Sequence, residues 1–346
     1  MNDSLHNLGL TPFFTRQITA DEIETTHYAR ITEVQRSQVT ASDGLNDWVV
    51  VLGGAWFQVP ADQRPTVGDW VLLDQHREKI LRLLERKSVF QRLAVGKKVD
   101  VQLIAANVDT LFIVTSCNAD FNEARLERYL ALALEAGAEP VVVITKADMT
   151  EQPDSYLARA QEMQPGLAVT LVNAKDSETL ASLATWVTKG STVALVGSSG
   201  VGKSTLVNSL SGSEITATGG IREQDGKGRH TTSYRSIHQL ASGGLLLDVP
   251  GMREVKIAQL DTSLPEVFSD IEDLALQCKF GDCAHEKEPG CAVTKAISNG
   301  IIDERRLESY RKLLIEETRQ TASLSAQRHR QFSKTVKQHT KMKSKK

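Results

Sequence analysis

Three features of this 346-residue sequence predict a multidomain fold: an N-terminal β-barrel, a central α/β domain and a C-terminal helical metal-binding module. The first feature is a series of short strand-like runs between Ala29 and Leu84, separated by turn signals. The second is a strand, a glycine-rich loop and a helix start around Gly197, in a stretch where strands and helices alternate. The third is a crowd of Cys and His between Cys278 and Cys291.

The chain is too long for one ordinary domain. With 40% hydrophobic and 24% charged residues it has the make-up of a soluble globular protein. Apolar runs such as Trp48–Leu52 and Val141–Ile144 are strand-sized, far short of the roughly 20 residues that cross a bilayer. Met1-Asn2-Asp3-Ser4 does not open a basic and then apolar leader, so cytoplasmic residence and no membrane partner are expected. Cys117 stands alone, and the other three cysteines surround His285, which suits a metal in a reducing compartment better than a disulfide scaffold.

In chain order, residues 1–28 are polar, without clear periodicity, and read as an extension. Residues 29–98 hold the barrel and a basic connector. The runs Ala29–Val34, Trp48–Leu52, Ala55–Val59, Asp69–Leu73 and Lys79–Leu84 are strand candidates. Such a series fits an OB-fold, with an SH3-like barrel as the alternative. The connector Arg86–Lys98 places Arg86, Lys87, Arg92, Lys97 and Lys98 around Phe90, as an RNA contact or a solvated linker. Residues 99–260 form the α/β domain. There a strand over Val108–Thr115 precedes a helix over Glu123–Ala136, capped by Asn122 and ended by Gly137. Val141–Ile144, Ala168–Val172, Thr192–Val196 and Leu245–Leu247 supply further buried strands. Residues 261–317 are the helical Cys/His domain and 318–346 a basic tail. The tail's nine Lys and Arg, without Asp or Glu, leave −11 on the rest of a chain whose formal net charge is −2. It suits either a polyanion contact or a solubilising extension.

Gly197-Ser198-Ser199-Gly200-Val201-Gly202-Lys203-Ser204 is a complete P-loop between a strand and the helix start Thr205-Leu206-Val207. Its glycines allow a tight turn that aims backbone N–H groups at phosphate, and the helix N-terminus adds its positive dipole end. Lys203 is placed to reach the β- and γ-phosphates and Ser204 to hold Mg²⁺. Downstream, Asp248-Val249-Pro250-Gly251 closes an apolar strand, so Asp248 can join the Mg²⁺ shell and Gly251 can offer its N–H to the γ-phosphate. Between them, Gly228-Arg229-His230-Thr231-Thr232 follows a Gly-rich run that suits a switch loop. Chemistry alone does not separate the two threonines; Thr232 enters the candidate set.

Thr145-Lys146-Ala147-Asp148 follows the strand Val141–Ile144 and matches the guanine motif N-K-x-D with Thr in place of Asn. The Asp148 carboxylate suits the paired ring and exocyclic N–H donors of guanine, which adenine lacks. Lys146 would cover the base plane. Asn173-Ala174-Lys175 after the next strand is a weaker base-side candidate. Together with the P-loop these motifs point to GTP hydrolysis, with a P-loop kinase as the rival enzyme class and a non-enzymatic RNA-binding adaptor as the second rival. The base motif precedes the P-loop, the reverse of most GTPases, so the domain reads as circularly permuted. Cys278-x4-Cys283-x-His285-x5-Cys291 offers three thiolates and one imidazole, a closed set for one structural zinc ion.

With these motifs in this order, the chain resembles the RsgA (YjeQ) family of bacterial small ribosomal subunit biogenesis GTPases from about Ala29 to Glu317. Further matching stretches are Ala105-Ala106-Asn107-Val108-Asp109 and Asp282-Cys283-Ala284-His285 through Val293. The resemblance implies an OB-fold, a permuted GTPase domain and a zinc domain. It also implies GTP hydrolysis stimulated by the small subunit, contact with its rRNA, a late role in its maturation, and His230 as the residue that orients water. A monomer is expected. Thr145 for Asn and Val249 where Thr is usual depart from the family pattern.

Overall fold

The computed structural model describes residues 3–94, 100–212, 235–248, 263–319 and 321–322. His230, Thr231, Thr232, Val249 and Gly251, with Lys97, Lys98 and nearly all of the tail, lie outside the described residues. Two compact units divide the chain, one from Met1–Phe90 with Leu103–Val255, the other from Gln91–Gln102 with Lys256–Lys346.

The strands are β1 (His27–Val34), β2 (Gln38–Ser42), β3 (Asp47–Val51), β4 (Trp70–Leu73), β5 (Ile80–Leu83), β6 (Val89–Ala94), β7 (Asp100–Ala106), β8 (Thr110–Ser116), β9 (Glu139–Thr145), β10 (Ala168–Leu171), β11 (Thr192–Val196), β12 (Arg235–Gln239) and β13 (Leu245–Asp248). One mixed sheet runs β10-β9-β8-β11-β13-β12-β1-β2-β3, with β4 paired to β1 and β5 to β4. The neighbours from β10 to β13 are parallel, and β12 is antiparallel to β13. Parallel strands buried on both faces need continuous apolar runs. β8 is buried at every position, and Val141–Ile144 are fully enclosed.

The N-terminal strands are antiparallel, and Ala29, Ile31, Val39, Ala41, Val50, Val71 and Leu73 form their core. β1 also pairs with β12 through Glu33↔Ser236 and Val34↔Arg235, so the sheet passes without a break from the first strands into the α/β domain.

Three expectations change. The run Ala55–Val59, expected as a strand, lies mostly in a helix over Gly54–Gln58. Only Trp56 and Val59 turn inward there, a spacing of three that a helix satisfies and a strand does not. Residues 1–28 are not a loose extension. Short helices over Asp3–Asn7, Pro12–Thr15 and Ala20–Thr25 bury Leu10 and Phe14 against Trp70, Leu72 and Leu84. The third carries a complete capping box between Thr19 and Glu22. The described part of the connector, residues 86–94, is folded rather than free. Arg86 spans both oxygens of the fully buried Asp69 at 2.7 and 2.9 Å, Lys87 reaches Asp109 at 2.7 Å, and Arg92 reaches Gln102 at 3.0 Å.

The helix Glu123–Ala136 stands as expected. The Asn122 side chain accepts from Arg125 N–H, and Gly137 adopts the left-handed conformation at the C-terminus. In the second unit, helices over Ser263–Val267, Ser269–Ala275, Ala292–Ser298 and 304–319 surround Phe268, Ile271 and Val293. Arg306 pins two of them by pairing with Asp270 at 2.6 and 2.8 Å. No helix among the described residues is long and apolar enough to cross a membrane.

Candidate nucleotide site and metal centre

Parallel strands deliver their carboxyl ends to one edge of the sheet, the usual place for a ligand in an open α/β fold. β8, β9, β10, β11 and β13 all end there. β11 therefore brings the P-loop, β9 the base motif and β13 Asp248 to the same edge.

At the P-loop, Gly197 has φ +144°, and a Cβ there would stand 2.1 Å from the Val114 carbonyl oxygen. Only glycine lets the chain leave β11 beside β8. The following helix spans Lys203–Ser211. The Lys203 side chain is buried along the loop; its ammonium donates to the Gly197 carbonyl at 2.7 Å and to that of Ser198. Val201 and Leu206 anchor the loop in the core beneath. Arg125, from the helix beside β8, donates to the Ser198 hydroxyl. No sequence motif marked that contact, because it depends on the packing of a remote helix.

The base motif turns sharply away from β9. Lys146 takes φ +59°, a left-handed conformation uncommon for a residue with a side chain and typical of functional turns. Beyond it Asp148 is exposed, while Thr145 is 1% exposed. The Thr145 hydroxyl lies 2.5 Å from the Val201 carbonyl oxygen and 3.0 Å from that of Thr115, which joins base motif and P-loop directly. Ser209 of the P-loop helix donates to the Ala174 carbonyl at 2.6 Å, so the Asn173–Lys175 loop is tied to the same body. The P-loop, the base motif, Asp248 and the Asn173–Lys175 loop, far apart in the sequence, thus lie at one edge of the sheet. The rest of the candidate set, His230, Thr232 and Gly251, lies outside the described residues.

The metal-centre candidates also converge. The ligand atoms of Cys278, Cys283, His285 and Cys291 all lie within 4.8 Å of one another. Cys278 and Cys291 sulfurs are 3.8 Å apart, and His285 Nδ1 is 3.6 and 3.5 Å from them. A tetrahedron with metal–sulfur bonds of ~2.3 Å and a metal–nitrogen bond of ~2.0 Å has edges of about 3.8 Å and about 3.5 Å. The residues therefore fit a zinc-sized tetrahedral ion on those edges. Backbone N–H groups of Ala292 and Thr294 each lie 3.4 Å from a cysteine sulfur, an arrangement that favours thiolate. Burial works against the Cys291 thiolate, yet hydrogen bonds from Thr294, then His285 and Cys283, bring that thiol down to about 6. Burial pushes Cys283 up to about 11. The ligand loop is braced from behind. Glu288 accepts from the N–H groups of Ala284, Glu286 and Lys287, and Arg311 donates to the Ala284 and His285 carbonyls.

A P-loop and a base motif meeting at the carboxyl edge of a parallel sheet, with the base motif first in the chain, define a circularly permuted P-loop GTPase. The RsgA GTPase family model matches residues 83–258. Small ribosomal subunit biogenesis GTPase RsgA 2 of Vibrio parahaemolyticus is 47% identical over 338 residues, 97% of this chain and 92% of that protein. Small ribosomal subunit biogenesis GTPase RsgA of Mesorhizobium japonicum is 46% identical over 332 residues, 94% of this chain and 93% of that protein. Among solved structures, YjeQ of Thermotoga maritima superposes with a TM-score of 0.60 at 25% identity, over 85% of this chain and 99% of that one. YloQ, a circularly permuted GTPase, gives 0.58 at 25% identity, over 85% and 95%. The chain belongs to the RsgA GTPase family and is a GTPase.

Proposed function

We propose that the chain hydrolyses GTP as a maturation factor of the small ribosomal subunit, in the cytoplasm and as a monomer. The observation that supports the nucleotide side is the contact of Thr145 with the P-loop carbonyl of Val201, which joins the base motif to the P-loop. The ribosomal side rests on relatives, small ribosomal subunit biogenesis GTPases, at 46–47% identity across nearly the whole chain.

On this reading Asp148 and Lys146 hold guanine. The backbone from Gly197 to Thr205 (through Ser198, Ser199, Gly200, Val201, Gly202, Lys203 and Ser204) cradles the phosphates. Ser204 and Asp248 hold Mg²⁺, with Thr232 completing the shell. The ion supplies charge neutralisation between the β- and γ-phosphates. Lys203 leaves its two loop carbonyls for phosphate oxygens when nucleotide enters. His230 orients the attacking water, and Gly251 contacts the γ-phosphate. Cys278, Cys283, His285 and Cys291 hold one structural zinc. The N-terminal strands act as an OB-type barrel on rRNA. The GTP-bound state docks and the GDP state releases, through segments that order on the γ-phosphate.

The test is GTP hydrolysis with purified small subunits, large subunits or neither. Stimulation by small subunits alone is expected, and Lys203→Ala should abolish it. Equal rates in all three conditions would remove the ribosomal assignment. Normal turnover by Lys203→Ala would remove the P-loop assignment.

A further inference from the structure

Lys203 shares the P-loop with a second cation that no motif announces. Arg125 sits in the first turn of the helix Glu123–Ala136, with its backbone N–H fixed by the Asn122 cap. Leu126, Tyr129 and Leu130 bury that helix, so the place of Arg125 beside the loop is set by packing. Its half-buried guanidinium donates to the Ser198 hydroxyl, while the Ser198 carbonyl accepts from Lys203. Two cations therefore meet on one loop residue, although like charges repel. Among the described residues the Arg125 side chain has no other hydrogen bond and no acidic partner. Glu123, two residues before it, is held by Arg159 at 2.9 Å. A half-buried cation without a counter-charge is costly, and an anion on the loop relieves both the burial and the repulsion.

Which phosphate the second cation serves follows from the first. A P-loop lysine serves the β- and γ-phosphates, and the Lys203 ammonium lies on the Gly197 and Ser198 carbonyls. Arg125, on the hydroxyl of the same Ser198, is therefore at the β/γ end of the loop. We infer that Arg125 is a catalytic residue that the chain supplies to its own GTP, donating to the γ-phosphoryl group as that group passes to water. This rests on the nucleotide-site assignment proposed above. A guanidinium carries five N–H donors in a planar fork, and one N–H on Ser198 leaves others for phosphate oxygens. In hydrolysis the water oxygen bonds to the γ-phosphorus, and the bond from that phosphorus to the bridging oxygen breaks. The electron pair stays on GDP, and the water's protons end on inorganic phosphate and in solvent. A cation fixed beside the transferring oxygens stabilises the charge that develops there. GDP lacks that group, so Arg125 contributes little to holding GDP.

The experiment measures single-turnover GTP hydrolysis and GDP affinity of the full chain, with Mg²⁺ in excess. Arg125→Met keeps most of the stem and removes the charge. It should slow hydrolysis at least about tenfold, in the direction of the roughly 10³-fold that a fully placed arginine is worth. Its GDP affinity should stay within about threefold of the parent, which also shows that the variant is folded. Arg125→Lys keeps a cation but not the fork, and should be faster than Arg125→Met. A smaller loss of rate in Arg125→Met overturns the inference. So does a larger fall in its GDP affinity, which would make Arg125 a brace for the loop, or an Arg125→Lys protein as slow as Arg125→Met. If Lys203→Ala binds GDP and hydrolyses GTP as the parent does, the nucleotide-site assignment itself falls instead.

Discussion

Replacing Arg30 by Met should destabilise the larger unit by about 3 kcal/mol, against the refund that losing a buried charge brings. Arg30 is 1% exposed. Burial pulls its guanidinium down to about 10, and the charges of Asp109 and Asp69 only partly offset that. It stays charged at neutral pH and donates to Leu8 O at 2.7 Å, Thr192 Oγ1 at 2.8 Å, Asn107 O at 2.9 Å and Gly68 O at 3.2 Å. Met fills most of the volume and supplies no donor. Gly68 O retains Asn107 Nδ2 at 3.0 Å, and the Thr192 hydroxyl can rotate. The Leu8 and Asn107 carbonyls lose their Arg30 donors, at about 1–3 kcal/mol each. Removing the guanidinium returns part of its desolvation cost, which holds the net to about 2–4 kcal/mol rather than the sum of four charged bonds. Urea unfolding of parent and Arg30→Met, followed by near-ultraviolet signal, measures the difference. In a heating scan the same loss corresponds to roughly 6–12 °C. Arg30→Lys keeps the charge but cannot span four acceptors with a point ammonium, so it should fall between. A loss below about 1 kcal/mol would show that the buried guanidinium costs as much as its bonds return, and the reasoning fails.

Other expectations follow from single contacts. Arg82 grips Glu22 at 2.9 Å on each oxygen and, with the Thr19 N–H, holds that carboxyl down to about 2. A depressed carboxyl stabilises above its ordinary value and loses that contribution as pH falls through the folded value. In Arg82→Gln the Glu22 titration, followed by NMR, should therefore move up toward 4.5, and an unmoved titration would refute the pairing. Asn122→Ala should cost about 1 kcal/mol as a lost N-cap, measured by urea unfolding; a change of a few tenths would deny the cap its role. Metal analysis should find about one zinc per chain, lost in Cys278→Ser with Cys291→Ser, while GDP binding persists. Zinc retained by that double variant would refute the ligand set.

The nucleotide and metal candidates were legible because their chemistry is local. A P-loop needs its glycines and lysine in one run, and a closed metal site needs its ligands within a short reach. Secondary structure was legible where the period was long, as in Glu123–Ala136, and illegible where it was broken. Leu5, Leu8, Leu10, Phe13 and Phe14 are apolar, but Gly9 at φ +87° and Pro12 cut them into single turns, so no moment accumulates. The basic connector misled for another reason. Composition counts cations but not their partners, and Arg86 belongs to the buried Asp69, far from it in sequence. The Ala105–Asp109 stretch was recognisable as a match without a visible purpose, because its partners come from four other segments, around Arg30, Gly68, Lys87 and Thr192.

Those partners explain the stretch. Asn107, in a left-handed turn, receives the Lys87 N–H on its side chain at 2.8 Å and donates to Gly68 O, while its carbonyl takes Arg30. Gly68 must be glycine, since a Cβ there would stand 1.9 Å from the Ala106 carbonyl oxygen. Asp109 accepts from Thr192 N–H at 2.9 Å at the start of β11. The same strand that carries the P-loop at its far end is thus held at its near end by Arg30 and Asp109, and β1 extends the sheet beside β12. The N-terminal strands and the α/β strands behave as one body. Deleting residues 1–100 would strip β12 of its neighbour β1 and leave the Thr192 hydroxyl without its Arg30 partner. Such a protein is expected to be insoluble or largely unfolded, as read by circular dichroism and GDP binding. A folded, GDP-binding truncation would refute the single-body account. Point changes on the exposed surface of the N-terminal strands, such as Val49→Ser with Val51→Ser on β3, test the proposed docking without breaking the sheet, because both side chains are more than 60% exposed.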